Sequence, residues 1–235
     1  MSNIRLFYSK SLSLNLTDKL DKSQSHYVSK VMRLKEKEVF SLFNNSGEWE
    51  AKILNISKSI VEFNVTKQLR QKESTKELWL AFSPIKSNYF NFMIQKATEL
   101  GVTKFIPIIF ERTIVRKINS ERLKKIIIEA TEQSNRISLP KLENPITLQN
   151  FFQSYEDKIK LIFTDLNSKQ KKISISKSEK KPLCIIVGPE GDFSELERLE
   201  ILGFKGVESI KLNENILRSE TAVISALSVI NFMIN

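Results

Sequence analysis

The chain has 235 residues, 41% hydrophobic and 27% charged, the proportions of an ordinary soluble globule, and no apolar run is long enough to span a membrane. One cysteine, Cys184, and one histidine, His26, exclude an internal disulfide and leave no Cys/His set for a zinc site. The net charge of +10 favours nucleic acid or an anionic membrane as partner, although 28 lysines against nine arginines is equally the mark of a compositional bias.

Ile4–Tyr8 reads as a short strand. Ser23 is a candidate cap for a helix running through Arg33 and carrying His26, Val28, Val31 and Met32. Val39–Phe43, Glu48–Ile56 and Ser59–Lys67 read as strands, the first two joined by the turn Asn44-Asn45-Ser46-Gly47. Short strands and one small helix predict a small β-barrel over residues 1–70. The polar stretch Gln68–Lys76 lacks periodicity, and residues 71–76 form the linker.

From residue 77 to 235 the rhythm changes to strands alternating with helices, which predicts an α/β domain with a parallel sheet. The predicted strands are Glu77–Phe82, Lys104–Ile109, Lys160–Thr164, Leu183–Val187 and Val207–Lys211. The predicted helices are Asn88–Leu100, stopped by Gly101, Asn119–Ser134, Ser194–Leu202, opened by a Ser194/Glu197 capping box, and Ser219–Met233.

Excess charge sits in two places. Residues 1–70 carry 12 basic against 7 acidic groups, and Ser168–Lys181 carries six lysines against one acid. The lysine run is either a solvated loop or a phosphate-contacting one.

Four of the six glycines fall between 188 and 206. Gly188-Pro189-Glu190-Gly191 follows an apolar strand end and precedes a helix, the place where open α/β sheets hold ligands, and two glycines there would let a ligand approach the backbone. The spacing matches neither a dinucleotide fingerprint nor a P-loop, and on its own is also that of a plain tight turn. A second strand-to-helix connection, Lys211–Ala222, brings Arg218 and Glu220 to a helix start, where an arginine opposes the helix dipole. It needs an anionic ligand or an ion pair with Glu220. In a chain that otherwise uses lysine, Arg112, Arg116 and Arg136 are candidates for phosphate or base contacts. On a helix His26, Lys30 and Arg33 would share one face.

At these residues the sequence resembles the RsmE family of the SPOUT superfamily, the bacterial 16S rRNA uridine-N3 methyltransferases. The matching motifs are Gln95–Val102, Glu111–Arg116, Glu129–Arg136 with Leu139-Pro140, Val187–Phe193 and Ile216–Ala222, preceded by His26…Val31-Met32-Arg33-Leu34. The resemblance implies an N-terminal PUA-like barrel, a C-terminal domain with a deep trefoil knot, S-adenosylmethionine as cofactor, S-adenosylhomocysteine as product, a cytoplasmic homodimer and 16S rRNA in the small subunit or its precursor as partner. The cofactor loops it implies comprise Thr164, then Val187, Gly188, Pro189, Glu190 and Gly191, then Leu212, Asn213, Ile216, Leu217, Arg218, Thr221 and Ala222. Arg218 and Glu220 (or Glu190 as proton acceptor) are the implied reacting groups. Arg5, His26, Lys30, Arg33, Arg112, Arg116, Arg136, Lys171 and Lys172 are the implied RNA contacts. No metal is expected. A SPOUT enzyme acting elsewhere on RNA and a non-catalytic RNA-binding protein are the other readings. Asp192, Asn213 and Asn135 stand where the family often has glycine; Asn tolerates left-handed backbone, and Asp192 is placed just outside the turn.

Overall fold

The computed structural model describes residues 4–72, 76–170 and 180–234. Contacts between Cα atoms group the chain into two units: Met1–Ser74 with Thr131–Leu139, and Thr75–Ala130 with Pro140–Asn235. The segment 131–139, read from sequence as part of the second domain, packs with the first.

The first unit holds strands β1 (Arg5–Phe7), β2 (Thr17–Lys19), β3 (Val39–Asn44), β4 (Gly47–Ser57) and β5 (Ile60–Arg70) in the order β1-β3-β4-β5-β2. Only β1–β3 pair in parallel; the others are antiparallel. Alternate residues of β5, Val61, Phe63 and Val65, turn inward onto Phe40, Leu42, Ala51 and Ile53, the period-two pattern of a sheet with one buried face. Gly47 is required at the β3–β4 turn, because its φ is +128° and an added Cβ would lie 2.3 Å from the Arg70 carbonyl oxygen. The small helix differs from expectation. Asp21, not Ser23, caps it by accepting from the Gln24 N–H at 2.8 Å. The α-helix α1 covers only Lys22–His26, and Tyr27–Val31 continues as a π turn.

A charged cluster is buried in this unit. Glu48 on β4 receives Arg5 at 3.0 Å and Arg70 at 2.7 Å, with side chains 3% exposed for Glu48 and 6% for Arg5. Arg5 also donates to the Glu132 and Arg136 carbonyls at 2.9 and 2.8 Å, and its guanidinium lies 4.6 Å from the Phe43 ring centre. It therefore caps the last carbonyls of a helix with positive charge, which is favourable there. The Glu132 carboxylate accepts the Phe7 N–H at 2.8 Å, and Asn135, with φ +62°, accepts Arg70 at 3.0 Å.

The second unit is built on parallel strands β6 (Leu78–Phe82), β7 (Lys104–Ile109), β8 (Lys141–Leu142), β9 (Ile146–Thr147), β10 (Lys160–Thr164), β11 (Leu183–Val187) and β12 (Glu208–Ile210). Their order is β12-β10-β11-β6-β7-β8, with β9 also on β7. The helices are α2 (Ser87–Glu99), α3 (Ser120–Gln133), α4 (Leu148–Tyr155), α5 (Glu195–Leu202) and α6 (Ser219–Ile234). β6 and β11 are buried along their whole length, as central strands covered on both faces must be. Gly101, φ +91°, ends α2 with Val102 N–H bonding to Ala97 and Gly101 N–H to Thr98, the paired bonds of a Schellman cap. Ser194 and Glu197 form the predicted capping box. Two-residue β8 and β9 and the eight-residue α4 were not predicted. No described helix is long and apolar enough to cross a membrane.

Burial pushes the Glu48 pKa up, but the hydrogen bonds and charges of Arg5 and Arg70 outweigh it and hold the carboxyl below its ordinary value. A carboxyl depressed in the folded state stabilises above its unfolded pKa, about 4.3, and loses that contribution as pH falls through the folded value. Glu48→Gln is expected to flatten the acid limb of the stability curve. Glu48→Ala, which strands buried Arg5, is expected to cost about 3–5 kcal/mol in urea denaturation.

Candidate active site

Parallel pairing brings the carboxyl ends of β10, β11 and β12 to one edge, with Phe163 beside Ile186 and Thr164 beside Ile210. The chain runs from β6 outward through β7 on one side, and later fills the other side with β10, β11 and β12. Such a reversal of strand order is where open α/β sheets hold ligands. Three connections leave this edge.

The connection after β11 is the Gly188–Gly191 turn. A Cβ added to Gly188 would lie 2.6 Å from Phe193 Cε2. The Phe193 ring stands edge-on to Phe110 at 5.0 Å and to Phe163 at 5.1 Å. Gly188 is therefore required by an internal ring, whatever its backbone also offers to a ligand. Gly191 is exposed, and the nearest atom to an added Cβ is Arg112 Cβ at 3.6 Å, so nothing internal requires that glycine. The left-handed residue is Asp192, φ +59°, inside the turn rather than beyond it. Its N–H donates to the Pro189 carbonyl at 3.0 Å and its Oδ1 accepts from Phe193 at 2.9 Å. Asp is among the few residues that tolerate this conformation. Val187 and Pro189 are buried and Glu190 is exposed.

The connection after β12 runs to α6. Ser219 Oγ donates to the Gly188 carbonyl at 3.0 Å, which fastens the start of α6 to the glycine turn. Arg218 and Glu220 flank that serine. Arg218 is exposed, its guanidinium 5.5 Å from the Tyr89 ring centre, and it pairs with no carboxylate among the described residues. The ion pair with Glu220 that would have explained it does not form. Glu220 is 9% exposed, and its carboxylate accepts no hydrogen bond among the described residues. Asn213 keeps ordinary backbone and accepts from the Asn215 N–H at 2.9 Å. Thr221 is exposed and Ala222 half-buried on the first turn of α6.

The connection after β10 is braced. Thr164 Oγ1 donates to the Ile186 carbonyl at 2.9 Å. Buried Asp165 takes a two-pronged hydrogen bond from Arg198 at 3.1 and 2.9 Å. Across the three connections the backbone N–H groups of Gly188, Gly191, Leu212, Ile216 and Leu217 have no partner among the described residues, and Ile216 is 85% exposed. Among the described residues, the edge thus combines free amide donors, exposed apolar surface, the unpaired guanidinium of Arg218 and the unpaired carboxylates of Glu190 and Glu220.

The predicted RNA contacts divide. Arg5, expected as an RNA contact, is instead consumed by Glu48 and by carbonyls of 131–136: every nitrogen of its guanidinium already donates internally. Arg136 is half-buried, its pKa pushed down by burial, and its carbonyl receives Arg5. Arg112 is exposed but donates to the Gly191 carbonyl at 3.1 Å, and Arg116 donates to the Glu111 carbonyl at 3.1 Å. His26, Lys30 and Arg33 are exposed along α1, the π turn and its end. Lys171 and Lys172 lie outside the described residues. Sequence reasoning missed Phe193 as a packing pillar, Ser219 as a tie, Tyr89 beneath Arg218, and the Asp165–Arg198 brace. The scarcity of arginine was the available signal for Arg198 and Arg70.

These features define a SPOUT-type RNA methyltransferase with an N-terminal PUA-like domain. A family model described as an RNA methyltransferase domain matches residues 72–231, and one described as an RNA methyltransferase PUA domain matches residues 20–66. The chain belongs to the family of ribosomal RNA small subunit methyltransferase E. It is 37% identical over 213 residues to that protein from Rickettsia conorii, covering 88% of this chain and 86% of the relative. It is similar to the crystal structure of a ribosomal RNA small subunit methyltransferase E from Neisseria gonorrhoeae bound to S-adenosyl methionine: TM-score 0.89, 26% identity, 98% of each chain covered. A putative methyltransferase from Legionella pneumophila in complex with the same cofactor gives TM-score 0.88 at 30% identity, covering 99% of this chain and 98% of that one.

Gly188→Ala is expected to lower stability by about 1–3 kcal/mol through overpacking against Phe193. In a Phe193→Leu background the same change should cost less, and a double-mutant cycle by chemical denaturation measures the difference.

Proposed function

We infer that the chain transfers a methyl group from S-adenosylmethionine to N3 of a uridine in 16S rRNA. The observation that carries this reading is the convergence of the glycine turn, Arg218 and Glu220 at one sheet edge, tied through Ser219 and Gly188, in a chain of this family.

The cofactor suits the residues present. Free amides of Gly188, Gly191, Leu212, Ile216 and Leu217 would serve its carboxylate and adenine edge, and the exposed side chain of Ile216 would cover an apolar face. When bound, it supplies a methyl group on a sulfonium, activated enough that the protein's task is alignment.

Uracil N3 carries a weakly acidic proton on the pairing edge, so the base has to be unpaired when it enters. Among the described residues Arg218 meets no competing carboxylate, and its guanidinium lies over the Tyr89 ring. It is therefore free to stabilise negative charge on the uracil oxygens as the proton leaves. Glu220 is the better placed acceptor of that proton, being shielded from water, whereas Glu190 stands exposed on the turn. The chain is read as a cytoplasmic homodimer working on the small subunit or its precursor, with the implied trefoil knot around the cofactor loops. An exposed apolar face supports the dimer: Phe92 on α2, and Val229 and Phe232 on the neighbouring α6, Phe232 being 89% exposed.

Arg218→Ala is expected to slow single-turnover methylation by about 10²–10³-fold, with S-adenosylmethionine affinity by calorimetry unchanged within about twofold. An unchanged rate removes Arg218 from the mechanism. Nucleoside mass spectrometry of 16S rRNA with and without the gene tests the reaction itself, because unchanged N3-methyluridine overturns it. Phe232→Glu is expected to give monomers by light scattering.

A further inference from the structure

The first unit carries a cluster that the transfer reaction does not use. The π turn Tyr27–Val31 is held by the Met32 N–H bonding to the Tyr27 carbonyl at 2.9 Å and by the Leu34 N–H bonding to the Val28 carbonyl at 3.0 Å. Val28 faces inward and is fully buried, while Tyr27, 41% exposed, and Val31, one turn on, face outward. The Tyr27 ring packs on no other aromatic ring, and its hydroxyl has no partner, among the described residues. Beyond the cap residue Met32, Arg33 takes left-handed backbone, φ +58°, a conformation that the Cβ of most L-residues disfavours.

The charges around this ring are asymmetric in how they are used. Asp21 and Glu38 are spent on the backbone N–H groups of Gln24 and Lys35. The side chains of Lys22, Lys30, Arg33 and Lys35 have no ion-pair or hydrogen-bond partner among the described residues. An exposed aromatic side chain followed along the same segment by exposed cations with unpaired side chains, Lys30 and Arg33, has the composition that binds single-stranded nucleic acid: a base stacks on the ring and the cations follow the backbone phosphates.

We propose that Tyr27 stacks an unpaired base of the RNA substrate while Lys30 and Arg33 hold the adjoining phosphates. The π turn is thus a single-strand clamp separate from the methylated nucleotide. This rests on the reading of the chain as an RNA-modifying enzyme.

The test measures binding of a fluorescein-labelled oligouridylate of about 12 nucleotides, within the usual site size for such grooves, and of a duplex RNA of equal length, to the full chain. Tyr27→Ala and Tyr27→Leu are expected to weaken single-strand binding by about 5- to 100-fold, the equivalent of losing one stacked base, and to leave duplex binding unchanged. Tyr27→Phe is expected to retain the affinity. Lys30→Gln and Arg33→Gln should each reduce the salt slope by about 0.7. Thermal midpoints should stay constant, because the replaced groups are exposed. Wild-type binding that Tyr27→Ala and Tyr27→Leu both leave intact overturns the clamp alone. Wild-type chain that binds neither RNA at low salt overturns the RNA reading along with it.

Discussion

Parallel pairing is the constraint from which the active edge follows. A strand paired in parallel with its neighbours leaves the sheet at the same edge as they do, so β10, β11 and β12 deliver their connections to one line. The connections then have to be kept from collapsing onto each other. Phe193 does part of this, with its ring wedged between Phe110 and Phe163 and over the bare Cα of Gly188. Hydrogen bonds do the rest: Ser219 holds the glycine turn to α6, Arg198 holds Asp165, and Thr164 holds β10 to β11. What these ties leave unsatisfied among the described residues is also what is chemically useful, namely several amide donors, Arg218 and the carboxylates of Glu190 and Glu220. The site is the remainder after internal hydrogen bonding is complete.

Much of this was legible in the sequence. β7, β10 and β11 have the predicted bounds, because continuous apolar runs closed by polar or glycine residues leave little freedom in placing a buried strand. The capping box at Ser194 and the stop at Gly101 also appear as read, since both depend on side chains within a few residues. β8 and β9 escaped because two residues are too few to display a period. α1 starts two residues earlier than expected because Asp21 and Ser23 are both good caps and only geometry chooses between them. The π turn has no sequence pattern of its own.

At the site the limit was of another kind. A sequence identifies Gly188 as special without saying which neighbour requires it, and the neighbour is five residues away in Phe193. The charge count put Arg5 in the basic N-terminal third, but its acceptors are Glu48 and carbonyls more than a hundred residues further along. Net charge locates a field; it does not show which cations are already spent. The same motif spacing that flagged Glu129–Arg136 as functional is satisfied in the structure largely by internal bonding, through Glu132 to Phe7 and Asn135 to Arg70.

That internal bonding bears on how the molecule is made. The N-terminal unit is discontinuous in the chain: its β-sheet is encoded by the first 74 residues, but its complement of contacts includes Thr131–Leu139. On the ribosome the strands emerge well before the carbonyls that receive Arg5 and the carboxylate that receives the Phe7 N–H. The nascent sheet therefore waits, with a buried guanidinium short of acceptors, until nearly sixty more residues have been synthesised. Folding that proceeds domain by domain during synthesis cannot complete the first domain here before α3 exists. The order of synthesis and the order of completion are interleaved, and a fragment cut at the apparent linker would lack part of its own interior.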